Sequence, residues 1–160
     1  IAQASGRLQR NFQGYSVNMA TDLIGVGVSA ISSISHYYLQ NEKDLECYYR
    51  RLDQGASPIA KGLKMKPEDL LRAFVIMQLM CNLCVQYETF KKRFSIDFME
   101  HFASIQAKLA EMEYDGLITL DDNCLTVTAT GRPFIRSICM LFDQYLPTFD
   151  SAPLSLSSTV

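Results

Sequence analysis

The sequence predicts a mainly α, α+β fold: a helical, winged-helix-like C-terminal domain with one small β-hairpin. Apolar residues recur at helical spacing over three long segments. After Asp115-Gly116 the period changes to two, which is typical of strands. The elements follow in the order helix, short helix, helix, hairpin, helix. We therefore expect an irregular segment over residues 1–40, a helix and connector over 41–62, the helical domain over 63–146 and a loose tail over 147–160.

Residues 1–40 give two local predictions. Leu8 and Phe12 lie four apart, which predicts a helical tail over residues 1–12. Between residues 21 and 35, two glycines alternate with valines. Glycine permits close backbone approach, so we predict a strand-to-loop segment rather than a helix.

Asn41 is predicted to cap a short helix from about Glu42 to Leu52. Pro58 and Gly62 indicate a connector after this helix.

The helical domain begins at Pro67, which is followed by two acids that favour a helix start. This helix is predicted to reach Leu83 and to form the core. A short helix over residues 89–93 follows, and Ser95 is predicted to cap a long helix that ends near Glu113. Residues 117–127 predict the hairpin and residues 130–145 the last helix.

Composition narrows the classes of partner. The chain has 160 residues, a net charge of −2 and an apolar share of 48%. This balance gives no general electrostatic reason to bind nucleic acid or an anionic membrane, and we expect neither as a partner. The five cysteines lie mostly in apolar surroundings, which favours buried thiols and a cytoplasmic location. Because the first residue is Ile1, we expect a piece of a longer protein.

Cys81 and Cys84 form a CxxC pattern that could indicate zinc or redox chemistry. A structural zinc site needs four ligands, and neither the other cysteines nor the two histidines have a matching spacing. We interpret the pair as packing residues of a helix and expect no metal site in this chain.

Lys91-Lys92-Arg93 is the main sign of an alternative function. Winged-helix domains often bind DNA, so a nucleic-acid or protein binding module stays open as a hypothesis. Three charges in an acidic protein are weak support, and a solvated helix face is the favoured interpretation.

Several blocks resemble the oxygen-independent coproporphyrinogen III oxidase family. The resemblance covers residues 6–146. It is carried by RNFQGY at 10–15, TDLIG at 21–25, GVSAIS at 27–32, VTATGR at 127–132, IRSICM at 135–140 and FDQYL at 142–146. A related radical-SAM heme chaperone remains a second alternative. The RNFQGY and FDQYL blocks favour the oxidase.

The resemblance implies that the parent protein is a radical-SAM oxidoreductase of heme biosynthesis. Such enzymes oxidatively decarboxylate two propionates of coproporphyrinogen III to vinyl groups, which gives protoporphyrinogen IX. They use S-adenosylmethionine and a 4Fe-4S cluster, held by a CxxxCxxC motif in an N-terminal barrel. That motif is absent here. We therefore expect residues 1–40 to adjoin the barrel of the same chain, and expect this chain alone to be inactive.

The same resemblance assigns the candidate site residues. Gln13 and Ile31 match family positions near S-adenosylmethionine and the substrate. Gly27, Ala30 and Arg10 are weaker candidates: the first two belong to the glycine segment, and Arg10 could meet a substrate carboxylate. No catalytic residue is expected in this chain.

Overall fold

The structure, a computed structural model, describes residues 8–11, 14–16 and 22–146. The chain divides into two compact units, the first ending at Val85 and the second beginning at Gln86. Helices and small sheets alternate in the described residues, so the expected combination of helices with β structure is confirmed. The expectation of one β-hairpin in a mainly helical fold is too low in strands, because the described residues form three small sheets. The winged-helix label and the four predicted divisions stay predictions.

Described strands are β1 (Gln9–Asn11), β2 (Gly14–Ser16), β3 (Ile31–Ile34), β4 (Tyr37–Asn41), β5 (Ile59–Lys64), β6 (Cys84–Gln86), β7 (Ile118–Leu120) and β8 (Cys124–Val127). Described α-helices are α1 (Leu45–Asp53), α2 (Pro67–Asn82), α3 (Tyr87–Phe94), α4 (Phe98–His101), α5 (Gln106–Tyr114) and α6 (Ile135–Met140).

The first described residues form an antiparallel pair of strands, so the helical tail predicted for residues 1–12 is wrong where the structure describes it. β1 pairs with β2, with Arg10 opposite Tyr15. Gly14 has a φ of +126°, a conformation that glycine adopts readily and other residues rarely adopt. Cross-strand pairing overrides the weak helical spacing of Leu8 and Phe12. Phe12 and residues 1–7 lie outside the described residues.

A three-stranded antiparallel sheet in the order β3-β4-β5 forms most of the first unit's β structure. Between residue 22 and Ile34, Leu23 forms an isolated β-bridge with Ser33, and a loop then leads into β3. The prediction of a non-helical segment is therefore confirmed. β5 occupies the predicted connector and was missed. All six of its residues are exposed, and Gly62 and Pro58 suggest a loop, so only its pairing with β4 reveals a strand.

α1 and α2 differ in how well their starts were predicted. The side chain of Asp44 accepts a hydrogen bond from the Cys47 amide at 2.8 Å and caps α1, so the predicted cap Asn41 is wrong. α2 begins at Pro67, as predicted, and the Lys66 amide donates to Asp69 at 2.7 Å. Leu71, Val75 and Leu79 form its buried stripe.

The second unit contains a break where one long helix was predicted. Ser95 does not cap a following helix; it ends α3 with a φ of +58°. The cap of α4 is Asp97, whose carboxylate accepts from two backbone amides. A 3-10 turn then separates α4 from α5. The preference of an aspartate for the cap position thus moves the start of the predicted helix from Ser95 to Asp97, and the 3-10 turn divides the helix.

The predicted hairpin is confirmed as β7 and β8, and it lies beside an aromatic core. Ile118 pairs with Val127 in the register. The last helix is shorter than predicted, since a 3-10 turn precedes α6. The large side chains buried in this unit are Phe90, Phe98, Phe102, Leu109, Ile118, Leu125, Ile138 and Phe142. None of the described helices is both long and apolar enough to cross a membrane.

Candidate functional site

A pocket of about 460 Å³ lies at the start of the β3-β4-β5 sheet. Its lining is mostly aliphatic and backbone: Leu23, Ile24, Gly25, Val26, Ser29, Ala30 and Ile31. Residues 24–30, the pocket loop, connect the bridge residue Leu23 to β3, and three of them are exposed: Ile24, Val26 and Ser29. The pocket is therefore built by one short stretch of chain.

The beginning of the pocket loop is attached to β3. Leu23 and Ser33 exchange two backbone hydrogen bonds, with N–O distances of 2.7 and 2.8 Å. The Gly25 amide then donates to the side-chain oxygen of Ser32 at 3.0 Å. Just outside the loop, the Ser35 amide donates to the Asp22 carboxylate at 2.6 Å. These bonds fix the direction in which the loop leaves the sheet.

The end of the pocket loop is attached to the last residue of β4 and its neighbour. The Ser29 amide donates to the Glu42 carbonyl at 2.7 Å, and the Asn41 amide donates to the Ala30 carbonyl at 2.9 Å. In addition, the side-chain amide of Asn41 donates to the Gly27 carbonyl at 2.9 Å. The loop is thus held at both ends by directional bonds.

Two glycines explain the shape of the loop. A Cβ on Gly25 would lie 2.7 Å from the Ile31 carbonyl oxygen, so only glycine allows this approach. Gly27 has a φ of +105°, and Ser29 has a φ of 59° although it is not glycine. Backbone in such conformations persists where surrounding structure holds it, and it concentrates at binding sites. The predicted close backbone approach is therefore real, and its partner is the start of β3.

The surface of the loop is apolar and uncovered. Ile24 is 73% exposed and Val26 is 87% exposed, whereas Ile31 is half-buried. Exposed aliphatic side chains beside a shaped backbone suit contact with a flat, largely apolar ligand face. Backbone amide and carbonyl groups near them can pair with polar ligand edges.

The predicted site residues fall into three groups. Ile31 and Ala30 line the pocket, and Gly27 lies in the turn whose carbonyl bonds to Asn41. Arg10 is elsewhere: it lies on β1 with its guanidinium 5.7 Å from the Tyr15 ring centre, and it is not among the residues that line the pocket. Gln13 lies outside the described residues, so its prediction stays a prediction.

Sequence reasoning missed the two polar residues that hold the loop, Ser32 and Asn41. They are the buried polar residues of the described part of the chain, each with 7% exposure. Asn41 directly precedes the predicted helix start at Glu42, so the local pattern favoured a capping role, although α1 begins only at Leu45. In the sequence, Asn41 is recognisable as a polar residue at the end of an apolar strand. This pattern does not indicate the residue to which its side chain bonds.

The CxxC pattern has the environment of packing residues rather than of a ligand pair. Cys81 is fully buried near the end of α2, and burial raises the pKa of its thiol, an effect that the Arg10 charge partly opposes. Leu83 then turns the chain with a φ of 59°, so Cys84 lies on β6 instead of α2. Among the described residues, no group of three or more His, Cys, Asp or Glu side chains is arranged to hold a metal ion.

The basic run on α3 is largely neutralised by nearby acids. Lys92 pairs with Glu88 at 2.9 Å and Lys91 with Asp97 at 3.6 Å. The Arg93 guanidinium lies 5.7 Å from the Phe94 ring centre. This arrangement matches a solvated helix face, where paired charges contribute little attraction for a phosphate backbone.

Comparison with known proteins identifies what the chain resembles. The HemN C-terminal domain family matches residues 65–134. The oxygen-independent coproporphyrinogen III oxidase of Pseudomonas aeruginosa is 45% identical over 93% of this chain and 32% of its own length. The corresponding protein of Helicobacter pylori strain J99 is 42% identical over 91% of this chain and 32% of its own.

A solved structure gives the same result. It is described as coproporphyrinogen III oxidase (HemN) from Escherichia coli, a radical SAM enzyme, and it matches with a TM-score of 0.87 and 42% identity. The match covers 91% of this chain and 33% of that one, so the chain spans about a third of the length of such relatives. Over nearly all of its length, therefore, the chain is similar to the C-terminal part of oxygen-independent coproporphyrinogen III oxidases.

Proposed function

We propose that this chain supplies part of the S-adenosylmethionine and substrate site of an oxygen-independent coproporphyrinogen III oxidase. In this proposal the complete protein converts two propionates of coproporphyrinogen III to vinyl groups and yields protoporphyrinogen IX. The observation that carries the proposal is the TM-score of 0.87 at 42% identity to a solved radical SAM enzyme described as coproporphyrinogen III oxidase.

The pocket loop gives the proposal a location within the chain. Its residues Ile24 and Val26 are exposed, as expected of side chains that contact a ligand or another part of a longer protein. At the pocket wall, Ala30 offers a small apolar side chain and Ile31 a medium-sized one. In this role they pack against adenine or a tetrapyrrole ring and keep water away from the reacting carbon.

The two implied cofactors relate to this chain differently. S-adenosylmethionine fits the described pocket, whose mixture of aliphatic side chains and backbone groups suits a nucleoside with polar edges. When bound, it supplies the radical chemistry that begins the decarboxylation. The 4Fe-4S cluster does not fit the residues of this chain. The CxxxCxxC motif is absent from the sequence, and the described cysteines form no group with ligand geometry.

The proposal also assigns the remaining predicted features. Residues 1–40 adjoin a radical-SAM barrel of the same polypeptide, residues 63–146 form a winged-helix-like domain, and the chain alone does not turn over. The cytoplasmic location rests on the five cysteines, none of which forms a disulfide. A nucleic-acid module is disfavoured by the ion pairs of the basic run. A related heme chaperone is disfavoured by the names of the relatives from Pseudomonas aeruginosa, Escherichia coli and Helicobacter pylori, which are those of the oxidase.

The test is anaerobic turnover of the full-length protein with Ile31→Ala and Gln13→Ala, measured as carbon dioxide release from coproporphyrinogen III. We expect each variant to keep its cluster and its thermal unfolding temperature while losing roughly tenfold or more in turnover, which corresponds to about 1.4 kcal/mol of lost transition-state stabilisation.

The matched control is Ile96→Ala, since Ile96 is a partly exposed isoleucine of the second unit at 38% exposure. This variant should retain normal turnover. Normal turnover in both Ile31→Ala and Gln13→Ala would contradict the proposed site and leave the chain a covering or docking module.

A further inference from the structure

Two buried polar residues in the described part of the chain both direct their side chains at the pocket loop. Ser32 and Asn41 are each 7% exposed. Burying a hydroxyl or an amide is costly unless it is hydrogen-bonded, so such residues persist where their bonds fix a particular structure. Here the partners are Gly25 and Gly27, which belong to the loop itself.

Asn41 makes two bonds to one turn. Its side-chain amide donates to the Gly27 carbonyl and its backbone amide donates to the Ala30 carbonyl, both at 2.9 Å. The Ala30 amide lies 3.4 Å from the same Gly27 carbonyl, so the turn closes on an oxygen that Asn41 also holds. Asn41 therefore fixes the separation and orientation of Gly27 and Ala30.

The sheet is irregular where it presents Asn41. Gln40 pairs with Lys61, but Asn41 pairs with Ile59, so β5 contains one additional residue at this point. Bulges of this kind re-aim side chains and are frequent beside functional sites. Just beyond the bulge, the Glu42 amide donates to the Pro58 carbonyl at 2.9 Å, which secures the end of β4.

Ser32 holds the start of the pocket loop, as Asn41 holds its end. Its hydroxyl accepts from the Gly25 amide at 3.0 Å, at the point where Gly25 approaches the Ile31 carbonyl too closely for any Cβ. Ser32 directly follows Ile31 in β3, so this bond couples the beginning of the loop to the residue that forms the pocket wall.

We propose that Asn41 and Ser32 are positioning residues that shape the pocket loop for S-adenosylmethionine. The proposal rests on the proposed function and deepens it. The two residues hold the backbone of Gly25, Gly27 and Ala30 by hydrogen bonds, and these bonds are already formed without ligand. Pre-organisation of this kind lowers the cost of binding, so its loss appears as weaker ligand affinity.

The experiment compares Asn41→Ala and Ser32→Ala in the full-length protein, reconstituted anaerobically with its cluster. The dissociation constant for S-adenosylmethionine is measured by equilibrium dialysis, together with cluster content and kcat at saturating S-adenosylmethionine. We expect the dissociation constant to rise about tenfold in Asn41→Ala and about threefold to tenfold in Ser32→Ala, with cluster content unchanged. At saturation, kcat should stay within about twofold of the unmodified protein.

Two further variants separate positioning from general stability. Ser32→Thr retains the hydroxyl and should restore affinity to within about twofold of the unmodified protein. Asn41→Asp retains the side-chain size but removes the amide donor, so it should bind as weakly as Asn41→Ala. Asn123→Ala, at an exposed asparagine of the β7–β8 turn, is the matched control and should bind normally.

The results distinguish this inference from the proposed function. If Ile31→Ala weakens S-adenosylmethionine binding but Asn41→Ala and Asn41→Asp bind normally, the positioning role is wrong and the proposed site stands. If Ile31→Ala and Gln13→Ala both bind S-adenosylmethionine and turn over normally, the proposed site fails and the inference fails with it. A lower unfolding temperature with unchanged affinity in Asn41→Asp and Ser32→Ala likewise overturns the positioning role.

Discussion

The aromatic core of the second unit and the pocket loop of the first unit place apolar side chains in opposite environments. Phe90, Phe98 and Phe102 are at most 1% exposed, whereas Ile24 and Val26 are 73% and 87% exposed. The first set is held by burial, which is strong and non-directional. The second is held in place by backbone hydrogen bonds, so its side chains remain available for contact.

Two sources of structure are thus separated along the chain: burial of aromatic side chains in the second unit and backbone hydrogen bonds in the pocket loop. The phenylalanine cluster tolerates little change in volume because its rings pack against one another. The pocket loop tolerates little change in backbone geometry because two glycines and two buried polar groups define it. Substitutions in the two regions should therefore differ both in size and in kind of effect.

The largest expected effect is that of Phe98→Ala. The Phe98 ring lies 4.8 Å from that of Tyr87 and 4.9 Å from that of Phe102, measured between ring centres. Removing it leaves a cavity in a core that cannot fully collapse, so the free energy of unfolding should fall by about 3–5 kcal/mol. Denaturant unfolding measures this loss. Tyr114→Ala, at a residue 93% exposed, is the control and should change stability by less than about 0.5 kcal/mol.

The regions also differ in how far the sequence predicts them. α2 was predicted because Pro67 and Asp69 start it through local chemistry, and the β7–β8 hairpin because alternation and a polar turn are local signals. β5 was missed because it is defined by its pairing with β4, which lies on the other side of α1 in the sequence. β1 was missed because the helical spacing of Leu8 and Phe12 hid a short pairing with the neighbouring strand β2. Ser95 was assigned the role that belongs to Asp97 because both are acceptable caps and only the backbone decides between them.

In the candidate site too, features set by local sequence were predicted and those set by distant partners were not. The two glycines of the pocket loop predicted a close approach of the backbone. In the structure, Gly25 lies so near β3 that a Cβ on it would be 2.7 Å from the Ile31 carbonyl oxygen. The position of Ile31 at the pocket was implied by resemblance alone, since periodicity cannot distinguish a pocket wall from a core. Asn41 could not be found, because its partner Gly27 is 14 residues away and bonds through its backbone.

Gly131→Ala should have the next largest effect and tests close packing in the second unit. A Cβ there would lie 1.9 Å from the Leu117 carbonyl oxygen, so backbone must move to admit it. We expect a loss of about 3 kcal/mol in the free energy of unfolding. Thermal and denaturant unfolding measure it, with exposed Thr130→Ala as the neighbouring control. A loss below about 0.5 kcal/mol would show that the Leu117 carbonyl yields easily.

Gly25→Ala makes the same chemical change in the pocket loop, where the backbone is more exposed. The Cβ would meet the Ile31 carbonyl oxygen at 2.7 Å, but the loop is more exposed and can yield in part. We expect a smaller loss of about 1–2 kcal/mol, with faster hydrogen exchange of the Gly25 and Ser29 amides. The amides of α5 should exchange at unchanged rates. Val26→Ala is the control, and uniform acceleration across both units would contradict a local effect.

The smallest effect is expected at Asp44, the cap of α1. Hydrogen bonds from the Cys47 amide and thiol lower the pKa of this carboxyl below its usual value of 3.8. A lowered pKa in the folded state means that the carboxylate contributes stability above the unfolded pKa, and that this contribution is lost as pH falls through the folded pKa.

Asp44→Asn keeps a cap acceptor but removes the charge. We therefore expect its unfolding temperature to lie slightly below that of the unmodified protein at pH 7, and the difference to shrink as the pH is lowered below about 4. Thermal unfolding followed from pH 7 to pH 2.5 measures this convergence, and Asp53→Asn, at the other end of α1, controls for the general loss of a negative charge. A difference that is constant across this range would mean that the Asp44 carboxylate acts through its shape alone.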